Sequence, residues 1–121
     1  HRTPGETADY ALGLRDRGVC VVICGAGASA ALSGVVAAHT TLPVIGVPID
    51  ATALNGMDAL LSTVQMPPGV PVGSVAIGKP GAKNAALLAL RIMSLGNQEI
   101  TQKLEDFREN QKKQILDIKL N

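Results

Sequence analysis

The chain has 121 residues, a length that suits one domain. Hydrophobic residues make up 46%, yet only Tyr10 and Phe107 are aromatic, so a core has to be built from Ala, Val, Leu and Ile. The formal net charge is +1 and Lys and Arg are not clustered, which argues against nucleic acid as a partner, and no apolar run is long enough to span a membrane.

Thr3-Pro4-Gly5-Glu6 predicts a helix start, with Thr3 as cap, Pro4 at the first helical position and Glu6 completing a capping box. The helix is expected to reach about Arg17, where Gly18 ends it. "VCVVIC" (19–24) is a continuous apolar run and reads as a buried strand. Its Cys20 and Cys24 are expected to be small buried thiols of a reduced, cytoplasmic protein. Residues four apart on a strand lie too far apart to bridge, and no further His or Cys completes a metal site. "GAGAS" (25–29) turns into a helix over Ala30 to about His39, and "LPVIGVPI" (42–49) is a second buried strand. "GMDALLSTVQM" (56–66) is a short helix stopped by Pro67-Pro68-Gly69, and "PVGSVAIG" (71–78) is a third strand.

"GAKNAALLALRIMSL" (81–95) is a nearly all-apolar helix, expected to be buried on most sides. Gly96 closes it and Asn97 caps a last helix, about Gln98 to Leu120. That helix carries an apolar stripe of Ile100, Leu104, Phe107, Ile115 and Ile118, with Glu99–Lys103 and Glu109–Lys113 paired four apart. It reads as an amphipathic arm lying on its own domain or on a neighbouring subunit. The expected organisation is an α/β domain over 1–96 and a C-terminal helical arm over 97–121.

Alternating helices and strands imply βαβ units and a parallel sheet. Ligands in such sheets bind beyond the carboxyl ends of the strands. Gly25 to Ser29, Asp50 to Gly56 and Gly78 to Gly81 are expected on that rim, joined by His1 and Arg2 if a strand leads into them, with Met66 to Pro71 on the opposite one. Gly25-Ala26-Gly27-Ala28-Ser29-Ala30 fits G-x-G-x-x-A between strand and helix, and Asp50 follows at the end of the next strand. A dinucleotide-binding loop and a purely structural turn both fit that pattern. His39 reads as a surface or capping residue, Asp58 as an acid favoured in a first helical turn, and Lys79 as a solvated loop lysine.

"HRTP", "GAGASAALSGVVAAHTTLPVIGVP", "ALNGMDALLSTVQMPPGVPVGSVAIG" and "NAALLAL" together closely resemble the N5-carboxyaminoimidazole ribonucleotide mutase family, up to about Leu95. "DALLSTVQMPPGVPV" is the most specific stretch, and it makes the dinucleotide reading a distant alternative. The resemblance implies a flavodoxin-like three-layer αβα sandwich assembled as a homo-octamer. It implies a purine-pathway enzyme that uses no cofactor and no metal. Its partners would be an aminoimidazole ribotide and CO2, and its reaction would move a carboxylate from the exocyclic nitrogen to ring carbon C4. By that resemblance His1 is the acid and base, Arg2 binds the ribotide phosphate, and Gly25, Ala26, Gly27 and Ser29 contact substrate.

Family members place a strand, a Gly-Ser-x-Ser-Asp loop, a helix and a second strand before the His-Arg-Thr motif, so the resemblance implies a chain truncated at its N-terminus. Where the family loop reads Gly-Ala-Ala-His-Leu-Pro-Gly, this chain has Ala28-Ser29-Ala30-Ala31-Leu32-Ser33-Gly34, with Ala31 at the place of the histidine. A non-catalytic paralogue or fragment and a carboxylase that takes free CO2 are the alternatives to the mutase.

Overall fold

Eight elements follow one another in the expected order: α1 (Pro4–Leu12), β1 (Val22–Gly27), α2 (Leu32–Ala38), β2 (Val44–Ile49), α3 (Met57–Val64), β3 (Gly73–Ser74), α4 (Gly78–Ser94) and α5 (Gln98–Leu116). The computed structural model describes residues 1–119. The three strands form one parallel sheet in the order β1-β2-β3, the flavodoxin-like α/β arrangement. The chain divides into two units, His1–Ala89 and a second that begins at Leu90.

Pairing runs from Val22 opposite Val44 to Gly27 opposite Ile49. β1 therefore starts later than "VCVVIC" suggests and takes in Gly25, Ala26 and Gly27. Cys20 falls before the strand and is exposed, while Cys24 within it is buried. Burial pushes the Cys24 thiol up from its ordinary value, because a thiolate there would lose its hydration.

The third strand is much shorter than "PVGSVAIG" (71–78), and Pro48 explains why. In a parallel ladder alternate residues bond to opposite neighbours. Val22 N–H donates to the carbonyl of Pro43, the residue before β2, and Val75 N–H donates to Gly46 O at 3.3 Å. Odd-numbered β2 residues thus serve β1 and even-numbered ones serve β3. Pro48 is the next residue due to donate toward β3, and it has no N–H. The chain peels away after Val75, whose carbonyl takes only a long 3.5 Å contact from the Ser74 hydroxyl.

Leu14, Ala11, Cys24, Val36 and Val44 form a buried cluster, with Val19, Val22, Ala37 and Leu42 packed against it. It joins α1 and α2 to one face of β1 and β2. On that same face a Cβ on Gly46 would run into the Thr63 methyl and lie 3.2 Å from Ser33 Oγ, so α2 and α3 close over a bare backbone. Ile45 and Val47 of β2 point to the other face and are also buried. Full burial of a side chain such as Ile45 contributes about 1.5–3 kcal/mol.

α1 stops at Leu12, well short of Arg17. In a continuing helix Leu14 N–H would bond the Tyr10 carbonyl. Arg17 Nη2 takes that carbonyl instead at 2.6 Å, its guanidinium sits 4.6 Å from the Tyr10 ring centre, and Leu14 N–H turns to Ala11 O. Gly18, at φ +75°, then reverses the chain. At the front of α1, Thr3 makes no side-chain cap, so the expected capping box with Glu6 does not form.

α4 begins at Gly78, which puts Lys79 in a first helical turn rather than a loop. Gly81 packs so closely on the Ala76 carbonyl that a side chain has no room. Only Gly81 and Ala85 of this helix are buried, and Leu88, Leu90 and Met93 are each more than a third exposed, contrary to the expectation for an all-apolar helix. Asn97 caps α5, its Oδ1 accepting from Ile100 N at 3.2 Å. α5 ends at Leu116, and Leu120, the expected end, lies outside the described residues. Lys103 pairs with Glu99 at 2.6 Å and lowers its carboxyl, by hydrogen bond first and charge second. Glu109 pairs with Lys112 at 3.6 Å rather than with Lys113.

Candidate functional site

At the carboxyl end of β1 the backbone has to pass close to β2. A Cβ on Gly27 would lie 2.7 Å from the Ala51 Cβ and 3.3 Å from the Ile49 carbonyl, so only glycine fits. The chain then turns through Ala28 and Ala30, both left-handed at φ +53° and +42°. Each costs an L-residue about 1–2 kcal/mol. Ala30 N–H closes the turn on Gly27 O at 2.9 Å, and α2 starts two residues later.

The first turn of α1 faces this loop. Pro4 and Thr7, three apart, lie on one side of the helix, and His1 precedes it. Together with Ala26 to Leu32 and Val35 they line a cavity of about 220 Å³. Most of that lining is methyl and backbone, and its polar side chains are His1, Thr7 and Ser29. A small apolar chamber with one imidazole at its edge suits a proton transfer beside a small uncharged molecule.

Four of the six expected site residues therefore share this cavity: His1, Ala26, Gly27 and Ser29. Arg2 is exposed and Gly25 faces the Ile49 side chain; neither lines it. Gly25 to Gly27 are strand residues rather than loop residues, so the turn itself is Ala28-Ser29-Ala30. Ala31 lines the cavity with a methyl group. Pro4, Thr7 and Val35 escaped the sequence reading. The threefold spacing from Pro4 to Thr7 and the fourfold spacing from Ala31 to Val35 were the available signals.

Asp50, the acid a dinucleotide fingerprint would need, lies elsewhere. It packs beside Gly56 and Gly78, whose added Cβ atoms would come within 3.3 Å of its Cα and 3.6 Å of its Oδ1. Asp58 stands in the first turn of α3, as expected, and its Oδ2 accepts from Thr52 Oγ1 at 2.8 Å. His39 ends α2, its Nδ1 2.8 Å from Val35 O. It lines a wider cleft of about 780 Å³ on the opposite rim, together with Arg15, Asp16 and Gly69 to Pro71. Among the described residues no three His, Cys, Asp or Glu side chains come together, and no helix is long and apolar enough to cross a membrane.

Comparison with known proteins adds an independent line. The family described as AIR carboxylase matches residues 1–114. The chain is 55% identical over 117 residues to the N5-carboxyaminoimidazole ribonucleotide mutase of Bacillus subtilis, spanning 97% of this chain and 72% of that protein. A protein of the same name from Pyrococcus abyssi is 57% identical over 113 residues, 93% of this chain and 64% of its own length. The Escherichia coli K12 protein of that name is 48% identical over 117 residues, 97% of this chain and 69% of its own length.

Proposed function

The chain belongs to the AIR carboxylase family, and we propose that it is a mutase of purine biosynthesis that interconverts N5-carboxyaminoimidazole ribonucleotide and 4-carboxyaminoimidazole ribonucleotide. The observation that carries the assignment to this site is the cavity itself, where His1 meets the backbone turn after β1.

The reaction breaks the bond between the exocyclic nitrogen and the carboxylate carbon, releasing CO2, and forms a bond from C4 to that same carbon. The nitrogen gains one proton and C4 loses one. One imidazole that takes a proton and returns it closes the balance, and histidine does both near neutral pH. His1 fills that role. The small apolar chamber retains CO2 between the two steps by excluding water and leaving it nowhere polar to go. Gly27 and Ala26 offer close backbone approach and Ser29 a hydroxyl. Arg2, on the exposed side of the motif, holds the ribotide phosphate through paired N–H donors. The cytoplasm is the proposed compartment, consistent with two free thiols. A homo-octamer is the proposed assembly.

His1→Asn tests the role of the imidazole. Ribotide binding persists and turnover falls on the order of 10²-fold or more, the usual loss for an acid–base group. Near-normal turnover overturns the assignment. A second reading, ribotide binding without catalysis, is favoured by one observation: Ala31 presents a methyl to the cavity at the place of the family's loop histidine. Binding of the ribotide by the unaltered chain with no conversion would decide for it.

A further inference from the structure

We propose that Thr7 is a positioning residue for His1. No part of the family motif includes it, and it was not among the residues the sequence singled out. The proposal rests on the reading of His1 as the acid–base group.

Thr3 is left without a side-chain cap, and the backbone there is not helical, with ψ at 63°. The segment carrying His1 therefore leaves the helical path at Thr3. Thr7 supplies the tie. Its backbone N–H donates to Thr3 O at 3.0 Å and its hydroxyl donates to the same oxygen at 2.8 Å. Among the described residues these are the only hydrogen bonds that reach His1, Arg2 or Thr3. A helix of any sequence would keep the first of the two, but the second exists only because residue 7 carries a hydroxyl.

Thr7 is also half-buried, whereas His1 and Thr3 are exposed, and it lines the cavity beside His1. Its hydroxyl is committed to the Thr3 carbonyl, so the residue braces the imidazole's lead-in from inside the site. A general base must be held to a fraction of an ångström. Both of Thr7's donors meet on one carbonyl and fix the platform from which His1 extends.

Thr7→Val keeps the β-branched shape and removes the hydroxyl, while Thr7→Ser keeps the hydroxyl and removes the methyl. In Thr7→Val, kcat falls roughly 2- to 13-fold with KM unchanged. That is the 0.5–1.5 kcal/mol of one neutral hydrogen bond converted at 1.36 kcal/mol per factor of ten. Thr7→Ser stays within about twofold of the unaltered chain, on the same scale. The His1 ring-proton resonances read the geometry without turnover. They move toward free-peptide values in Thr7→Val and stay in place in Thr7→Ser.

Unmoved His1 resonances in Thr7→Val overturn the proposal, even where the melting temperature drops, because Thr7 would then serve α1 alone. Equal displacement in Thr7→Ser also overturns it, since the hydroxyl would not be the cause. The reading beneath it fails separately: His1→Asn turning over normally removes the acid–base role whatever the resonances of the Thr7 variants show.

Discussion

Cys20 and Cys24 sit four residues apart in opposite surroundings, and their reactivity should part accordingly. Cys20 is exposed, with its Sγ 3.8 Å from the Gly18 carbonyl. Cys24 is buried in the α1–α2–sheet cluster and its thiol is pushed up by that burial. The thiolate is the reactive species, so a raised value and a closed approach act in the same direction. Iodoacetamide labelling followed by peptide mass analysis should find Cys20 modified on the order of tenfold faster or more, the margin expected between an open and a buried thiol. Equal rates would contradict the burial. The sequence showed two thiols in an apolar run but not where pairing to β2 starts, and that register decides which thiol faces solvent. The glycine turn was legible because it closes an apolar run, whereas His1 stood out through the resemblance of "HRTP" to the family motif. Thr7 was not, since a threonine in a first helical turn carries no mark of what its hydroxyl bonds.

At the level of elements, Gly46 marks the seam where α2 and α3 meet over the centre of β2. Ser33 and Thr63, the two side chains at that seam, are each 2% exposed, so neither has room to swing away. Gly46→Ala should destabilise the fold by about 1–3 kcal/mol, the range for forcing a methyl into a packed interior. Urea unfolding followed by circular dichroism measures it, and an unchanged midpoint would mean that the helices do not close there. Helix and strand identities could be read from apolar period and turn residues, but their ends could not. β3 is cut short by a proline in the neighbouring strand, and α1 by an arginine five residues past its end that captures the Tyr10 carbonyl. The first cause acts between strands, which a window moving along one segment does not contain, and the second is a side chain bonding a backbone carbonyl seven residues back, which apolar period does not register.

For the whole molecule, the alternation of helices and strands was enough to order all eight elements and to require a parallel sheet. Exposure was harder to foresee. Composition predicted burial for the α4 side chains, yet Leu88, Leu90 and Met93 are each more than a third exposed, and Ile23 on β1 is 45% exposed. Apolar surface of this kind supports the proposed homo-oligomer. Sedimentation at micromolar concentration should therefore show a discrete assembly of several chains, and a stable monomer would count against it.

The central claim is that this chain moves a carboxylate within its own substrate. The direct measurement supplies N5-carboxyaminoimidazole ribonucleotide labelled with ¹³C in the carboxylate, in buffer containing unlabelled dissolved CO2, and reads the product by mass and carbon resonance. A mutase keeps the carboxylate carbon in its chamber, so the 4-carboxyaminoimidazole ribonucleotide should carry the label. Product whose carboxylate matches the unlabelled pool, or no product at all, would contradict the account.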